Sequence, residues 1–103
     1  GKIQLKMIGG SGTIDVAGNT LFLYPNPTEG IVTFSFNLVT PSRANLGVYD
    51  MNGRKCVDVV TGNFPDGKYS YTVDLGNLES GLYAVVLTTD SSRKIISSRV
   101  IKQ

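Results

Sequence analysis

Lys68-Tyr69-Ser70-Tyr71-Thr72-Val73-Asp74-Leu75 is the stretch that decides the fold. Tyr69, Tyr71, Val73 and Leu75 alternate with Lys68, Ser70, Thr72 and Asp74 in the cleanest period-two pattern of the chain. A strand sends successive side chains to opposite faces, so this pattern predicts a half-buried strand with its aromatic face inward. Pro65-Asp66-Gly67 supplies a turn before it, and Gly76 to Gly81 reads as a loop after it. Upstream, Val32, Phe34, Phe36 and Leu38 alternate with Thr33, Ser35 and Asn37. Beyond the turn at Pro41-Ser42, Ala44, Leu46 and Val48 repeat the pattern in a strand running to about Met51. Asn52-Gly53 predicts a two-residue hairpin turn into a partner strand from Arg54 to Val60. Downstream, Leu82 to Leu87 is apolar on both faces. It suits a central strand covered on both sides, or one paired tightly within a sandwich. After Asp90-Ser91-Ser92, residues Arg93 to Ile101 form the last strand.

At the other end, Leu21-Phe22-Leu23-Tyr24 is an apolar run closed by Pro25-Asn26-Pro27-Thr28-Glu29-Gly30. Two prolines fix φ and remove two N–H donors, so this segment is not mid-sheet. Asn26 and Thr28 are placed to bond the neighbouring backbone and Gly30 to take positive φ, which predicts a stiff corner. Before it, residues 1–8 alternate with Ile3, Leu5 and Met7 on one face. Gly9-Gly10-Ser11-Gly12 has the composition of a flexible linker, and residues 13–18 hold a short strand candidate. The expected organisation is a linker or cargo-proximal segment over 1–19 and a compact domain over 20–103. That domain carries about seven strands with turns roughly every 8–12 residues, which predicts an all-β fold: an immunoglobulin-like antiparallel β-sandwich.

Composition agrees. Val, Ile, Thr, Tyr and Phe make up 36 of the 103 residues and Ala only 3, which favours strands over helices. A domain of this size buries roughly 60–70% of the surface its unfolded chain exposes, enough for a core without disulfides. The longest apolar run is six residues, against the ~20 a membrane-spanning helix needs. The chain opens Gly1-Lys2 without a Met or a signal-peptide pattern, as a piece of a longer protein would.

The chemistry that composition excludes is broad. With no His and one Cys, the usual zinc sites, His-activated nucleophiles and an internal disulfide are ruled out. Cys56 reads as a small sheet residue. Glu29 and Glu79 are the only glutamates, and nothing brings them together as a glycosidase pair. Asp50-Met51-Asn52-Gly53 lacks the oxygen ligands and closing Glu of a calcium loop, and reads as a hairpin turn. No catalytic residue, metal site or cofactor is expected. Gly81 should end its loop in a conformation only Gly adopts cheaply, with Tyr83 packing its ring and sending its hydroxyl to a backbone group.

Charge is unevenly placed. Residues 1–90 hold 6 basic and 8 acidic side chains, whereas Arg93, Lys94, Arg99 and Lys102 give residues 91–103 a net +4. The plain reading is an edge strand protected by its charges. The functional reading is a recognition strand for an acidic partner surface, with nucleic acid disfavoured because the basic stretch is short and the rest of the chain repels phosphate.

Leu23-Tyr24-Pro25-Asn26-Pro27-Thr28-Glu29-Gly30, Val48-Tyr49-Asp50-Met51-Asn52-Gly53-Arg54-Lys55, Gly81-Leu82-Tyr83 and the closing basic strand, in that order, resemble the C-terminal sorting domain of the type IX secretion system of Bacteroidota. The resemblance spans about residues 20–103 and departs at Gln103, where many members finish on Lys. It implies a non-enzymatic address label on a larger cargo protein of the same chain. Such a domain folds in the periplasm, is recognised by the outer-membrane translocon, and passes by an outer-membrane shuttle protein to a cell-surface sortase. The sortase removes it and leaves the cargo at the surface or secreted. The resemblance assigns Pro25, Asn26, Pro27, Gly30, Gly81, Tyr83, Lys94 and Lys102 to the sorting motifs. Arg93, Arg99, Val100 and Ile101 belong to the expected recognition strand, whose main-chain edge is open to a partner strand or to a homodimer. Gly9, Gly10, Ser11 and Gly12 form the expected cleavage region, with Asp15 to Thr20 as the alternative. The competing expectation is a β-sandwich accessory module binding carbohydrate or protein at the cell surface, which needs an exposed aromatic platform or a calcium site. A purely structural spacer is a further alternative.

Overall fold

The computed structural model describes residues 11–14, 18–90 and 94–103, with side chains for 18–90 and 97–103. The strand expected within residues 1–8, together with Gly9, Gly10, Asp15 to Ala17 and Arg93, lies outside the described residues. Eight strands are described: β1 (Ser11–Ile14), β2 (Thr20–Tyr24), β3 (Ile31–Leu38), β4 (Ser42–Tyr49), β5 (Lys55–Phe64), β6 (Gly67–Asp74), β7 (Gly81–Thr89) and β8 (Lys94–Lys102). Seven of them lie from Thr20 onward. They form two four-stranded sheets, in the orders β1-β2-β3-β6 and β5-β4-β7-β8, and all neighbours run antiparallel. The molecule is an immunoglobulin-like antiparallel β-sandwich.

The period-two patterns set which side chains meet between the sheets. Leu21 and Leu23 of β2 join Val32, Phe34, Phe36 and Leu38 of β3, all at most 2% exposed. Opposite them lie Leu46 and Val48 of β4, Val85 and Leu87 of β7 and Val100 of β8, all at 0%. Burial of this apolar surface is the main term holding the sheets together. Tyr69 and Tyr71 are half-buried and stack on Phe36 at centroid separations of 5.3 and 6.2 Å, while Phe64 meets Phe36 edge-on at 5.7 Å. They extend the core and form no outward aromatic row.

In β7 the two apolar faces separate. Tyr83, Val85 and Leu87 point into the core, whereas Leu82 is 37% exposed and Ala84 and Val86 are half-buried on the outer face. β7 is an interior strand between β4 and β8, so the reading as a strand paired within a sandwich holds.

Local expectations fail at four places. The hairpin after β4 is not a two-residue turn. Tyr49 pairs with Lys55, and Asp50 to Arg54 form the connection. The Gly53 amide donates to the Asp50 carbonyl at 3.0 Å, and Gly53 has φ +86°, the form of a three-residue loop closed by a left-handed glycine. Asp50 Oδ1 also accepts from the Asn52 and Arg54 amides at 2.9 and 3.0 Å, a side-chain brace that makes the longer loop favourable. The Arg54 amide bond leads in holding the Asp50 carboxyl below its ordinary range. Secondly, β5 continues to Phe64 instead of stopping near Val60: beyond register shifts at Leu46/Gly47 and Val48/Tyr49, its pairing with β4 runs on to Ser42 opposite Phe64. Thirdly, Gly30 is not among the positive-φ glycines. It is buried, and the nearest atom to a Cβ there is Asp74 Oδ1 at 3.4 Å, an ordinary contact distance, and positive φ does not explain this glycine. Fourthly, Ser11 and Gly12 are strand rather than linker, opposite Leu23 and Phe22. Edge pairing uses only main-chain groups, so a Gly/Ser composition does not prevent it.

Candidate functional site: the proline corner and the last strand

Residues 25–30 connect β2 to β3, and both prolines follow cis peptide bonds, Tyr24-Pro25 and Asn26-Pro27. The corner is braced from within by Thr28, which is 2% exposed. Its hydroxyl donates to the Ile31 carbonyl at 2.7 Å and accepts from the Gly30 amide at 3.0 Å. Gly30 in turn accepts from the Leu75 amide at 2.8 Å, which ties the corner to the end of β6.

The outer side of this corner lies along the edge of β8. Asn26 Nδ2 donates to the Arg99 carbonyl at 2.8 Å, and the Ile101 amide donates to Asn26 Oδ1 at 2.9 Å. The Thr28 amide then donates to the Ile101 carbonyl at 2.9 Å, and the Gln103 amide donates to the Thr28 carbonyl at 2.8 Å. Thr28 and Lys102 thereby form a parallel bridge. The sequence places Asn26 to bond its own neighbourhood; in the fold it also reaches partners 73 and 75 residues away. The expectation of an open main-chain edge along the recognition strand is corrected for its far end, where the Arg99 carbonyl, the Ile101 amide and carbonyl and the Gln103 amide are engaged by the corner. The reason is geometric: a prolyl segment cannot form a regular strand, but the Asn26 side-chain amide and the N–H and C=O of Thr28 suffice to cover a short edge.

The inner side of β8 is held by the loop before β7. Gly81 faces Lys102, and Tyr83 faces Val100. Gly81 has φ +154°, and a Cβ on it would meet nothing within 4 Å, so backbone conformation rather than space explains glycine there. Tyr83 is 8% exposed and its hydroxyl donates to the Glu79 carbonyl at 2.6 Å, as the sequence predicts. Burial pushes the Tyr83 phenol up from its ordinary value, and Cys56, Glu79 and Asp50 push in the same direction. The sequence places Lys102 among the solvated charges of an edge strand. It is 8% exposed instead, and its ammonium donates to the Leu78 carbonyl at 3.0 Å. Its aliphatic stem lies where the alternation of β8 puts an inward residue, two positions beyond Val100.

Pro25, Asn26, Pro27, Gly30, Gly81, Tyr83 and Lys102 therefore converge on one end of β8. Lys94 does not join them. It pairs with Thr89 at the opposite end of the strand. Lys102 lies eight positions after Lys94, a span of ~27 Å in an extended strand. Of the expected recognition strand, Arg99 and Ile101 present exposed side chains, Val100 is in the core, and Ile101 sits opposite the exposed Leu82. The sequence reading missed Gln103 and the carbonyls of Leu78 and Glu79. Main-chain acceptors and a terminal amide leave no signature in composition.

Among the described residues no group of three or more His, Cys, Asp or Glu side chains gathers as a metal site. The exposed charges form only local pairs there, Arg54 with Asp50 and Lys55 with Asp58.

In comparison with protein families, the sequence model of the secretion system C-terminal sorting domain matches residues 22–103. No curated protein matches the chain.

Proposed function

The chain belongs to the secretion system C-terminal sorting domain family and carries a type IX secretion sorting signal, and from that premise we propose that it directs a larger cargo through the outer-membrane translocon and is then removed by a cell-surface sortase. This is a signal family rather than an enzyme family, and the signal implies interaction with the type IX machinery and export to the surface or the medium. The proposed route runs through the periplasm, where the sandwich folds. An outer-membrane shuttle protein then carries the cargo to the sortase.

One observation supports this reading above others: the motif residues scattered over 25–30, 81–83 and 102 assemble around a single strand end. A signal built this way exists only in the folded domain. We propose that residues 20–103 form the sorting unit and residues 1–19 the cargo-proximal segment. Gly9, Gly10, Ser11 and Gly12 remain the proposed cleavage region, with Asp15 to Thr20 as the alternative. A protease needs an extended, accessible strand, so a cut within Ser11 and Gly12 requires their pairing with β2 to open.

The test is a fusion of residues 20–103 to a periplasm-directed fluorescent protein in a host with a type IX system. Surface or medium fluorescence is expected from this fusion, and loss of the domain's mass as well from a fusion of residues 1–103, which carries the proposed cleavage region. Retention at full mass, both for this fusion and for one with residues 1–103, would overturn the proposal.

A further inference from the structure

We infer that Asn26 is a positioning residue of the sorting signal: its side-chain amide stands in for one peptide group of a neighbouring strand and holds the far end of β8 in the form that the export machinery reads. The inference rests on the sorting function proposed above.

The geometry is specific. An edge strand presents outward carbonyls and amides at alternate residues. Along the far end of β8 these are the Arg99 carbonyl, the Ile101 amide and carbonyl, and the Gln103 amide. All four have partners at 2.8–2.9 Å. Thr28 supplies the last two from its own peptide groups. The first two face a stretch where Pro25 and Pro27 have no N–H to give. A side chain must therefore provide a donor and an acceptor together from one planar group. Asn has both, Asp only the acceptor, and Ala neither.

This distinguishes a local role from a general contribution to stability. Because the Ile101 amide points outward to Asn26, the amides of Val100 and Lys102 point inward to β7. Loss of the Asn26 amide exposes the Ile101 N–H to solvent and leaves the Val100 N–H covered.

The experiment measures amide hydrogen exchange by NMR on the chain of residues 1–103, as wild type, Asn26→Ala and Asn26→Asp. The same variants are followed for export as fusions. In Asn26→Ala, Ile101 is expected to exchange about tenfold faster relative to Val100, the effect of losing one hydrogen bond. Asn26→Asp keeps the acceptor for Ile101 and loses the donor for Arg99, so its Ile101 exchange falls between wild type and Asn26→Ala. Export of both variants is expected to drop at least several-fold while the wild-type fusion is exported. Equal acceleration at Ile101 and Val100 in both variants would reduce Asn26 to a general stabiliser and overturn the inference. Wild-type export by a variant whose Ile101 amide has opened would overturn it as well. Failure of the wild-type fusion to leave the periplasm would instead bring down the sorting function, and this inference with it. The exchange data would still report separately whether the amide holds the strand.

Discussion

The Lys102 ammonium donates to the Leu78 carbonyl at 3.0 Å from within the sandwich, so the last basic residue of the chain acts as an inward brace. Its stem packs and its head satisfies a carbonyl. Lys102→Met keeps most of the stem and loses the hydrogen bond. It should cost about 1 kcal/mol of unfolding free energy. Lys102→Ala loses both, and should cost about 2–3 kcal/mol. Urea denaturation of the two variants beside wild type reads the order. Equal, negligible losses would mean that the side chain carries no structural weight.

Val100 and Ile101 are sequence neighbours with opposite fates. Val100 is 0% exposed and Ile101 45%. Val100→Ala should lower stability by ~2 kcal/mol through lost burial and the cavity left behind. Ile101→Ser should stay within about 0.5 kcal/mol. The comparison matters for any export assay on this strand. Deleting residues 99–103 removes core and corner contacts together, so it tests folding as much as recognition. Ile101→Ser and Arg99→Gln alter the exposed side chains and spare the core. Thermal melts of each variant should accompany the export readout.

Gly81 offers a separation of backbone strain from crowding. Nothing lies within 4 Å of a Cβ built at this position, while its φ of +154° is one that side-chain-bearing residues rarely adopt. Gly81→Ala and Gly81→Ser should therefore cost the same, about 1–2 kcal/mol. A clear dependence on side-chain size in equilibrium denaturation would point to a steric cause instead.

Tyr83 carries a pH signature. Burial leads in raising its phenol above the ordinary value, so the folded state holds this proton more tightly than the unfolded state does. The sign follows: the contribution is fully present below about pH 10, the unfolded value, and is lost as pH rises through the higher folded value. Tyr83→Phe removes that loss and should flatten the alkaline limb of a stability-against-pH curve. At neutral pH the same variant should be weaker by about 1 kcal/mol, because the Glu79 carbonyl loses its partner.

Much of the architecture was legible in the alternation of residues 32–38, 44–48 and 69–75, because burial on one face of a strand imposes a period of two on the sequence. The identity of the corner was legible from its prolines, and its internal bracing from Thr28. What it touches was not. Asn26 and Ile101 are 75 positions apart, and the bonds between them use a side-chain amide and a main-chain N–H that any residue except proline supplies. Lys102 misled for a related reason. Lysine is normally solvated, and only its place in the register of β8 assigns it inward. The turn at Asp50 misled because a side-chain acceptor competed with the glycine signal. Each failure is a case where a hydrogen bond, rather than apolar burial, chose the conformation.

The bridge between Thr28 and Lys102 also imposes an order in time. A polypeptide leaves the ribosome beginning with its N-terminal residues, so the corner at 25–30 emerges before its partners at Leu75 and residues 99–103 are made. It cannot be completed until residues 99–103 have been synthesised and brought back across most of the domain, a closure whose entropy must be met before the bonds repay it. A molecule interrupted anywhere before that point would carry the corner and never the closed joint. The joint is thus a record that translation ran to the last strand, written into the same few residues that the sorting motifs occupy.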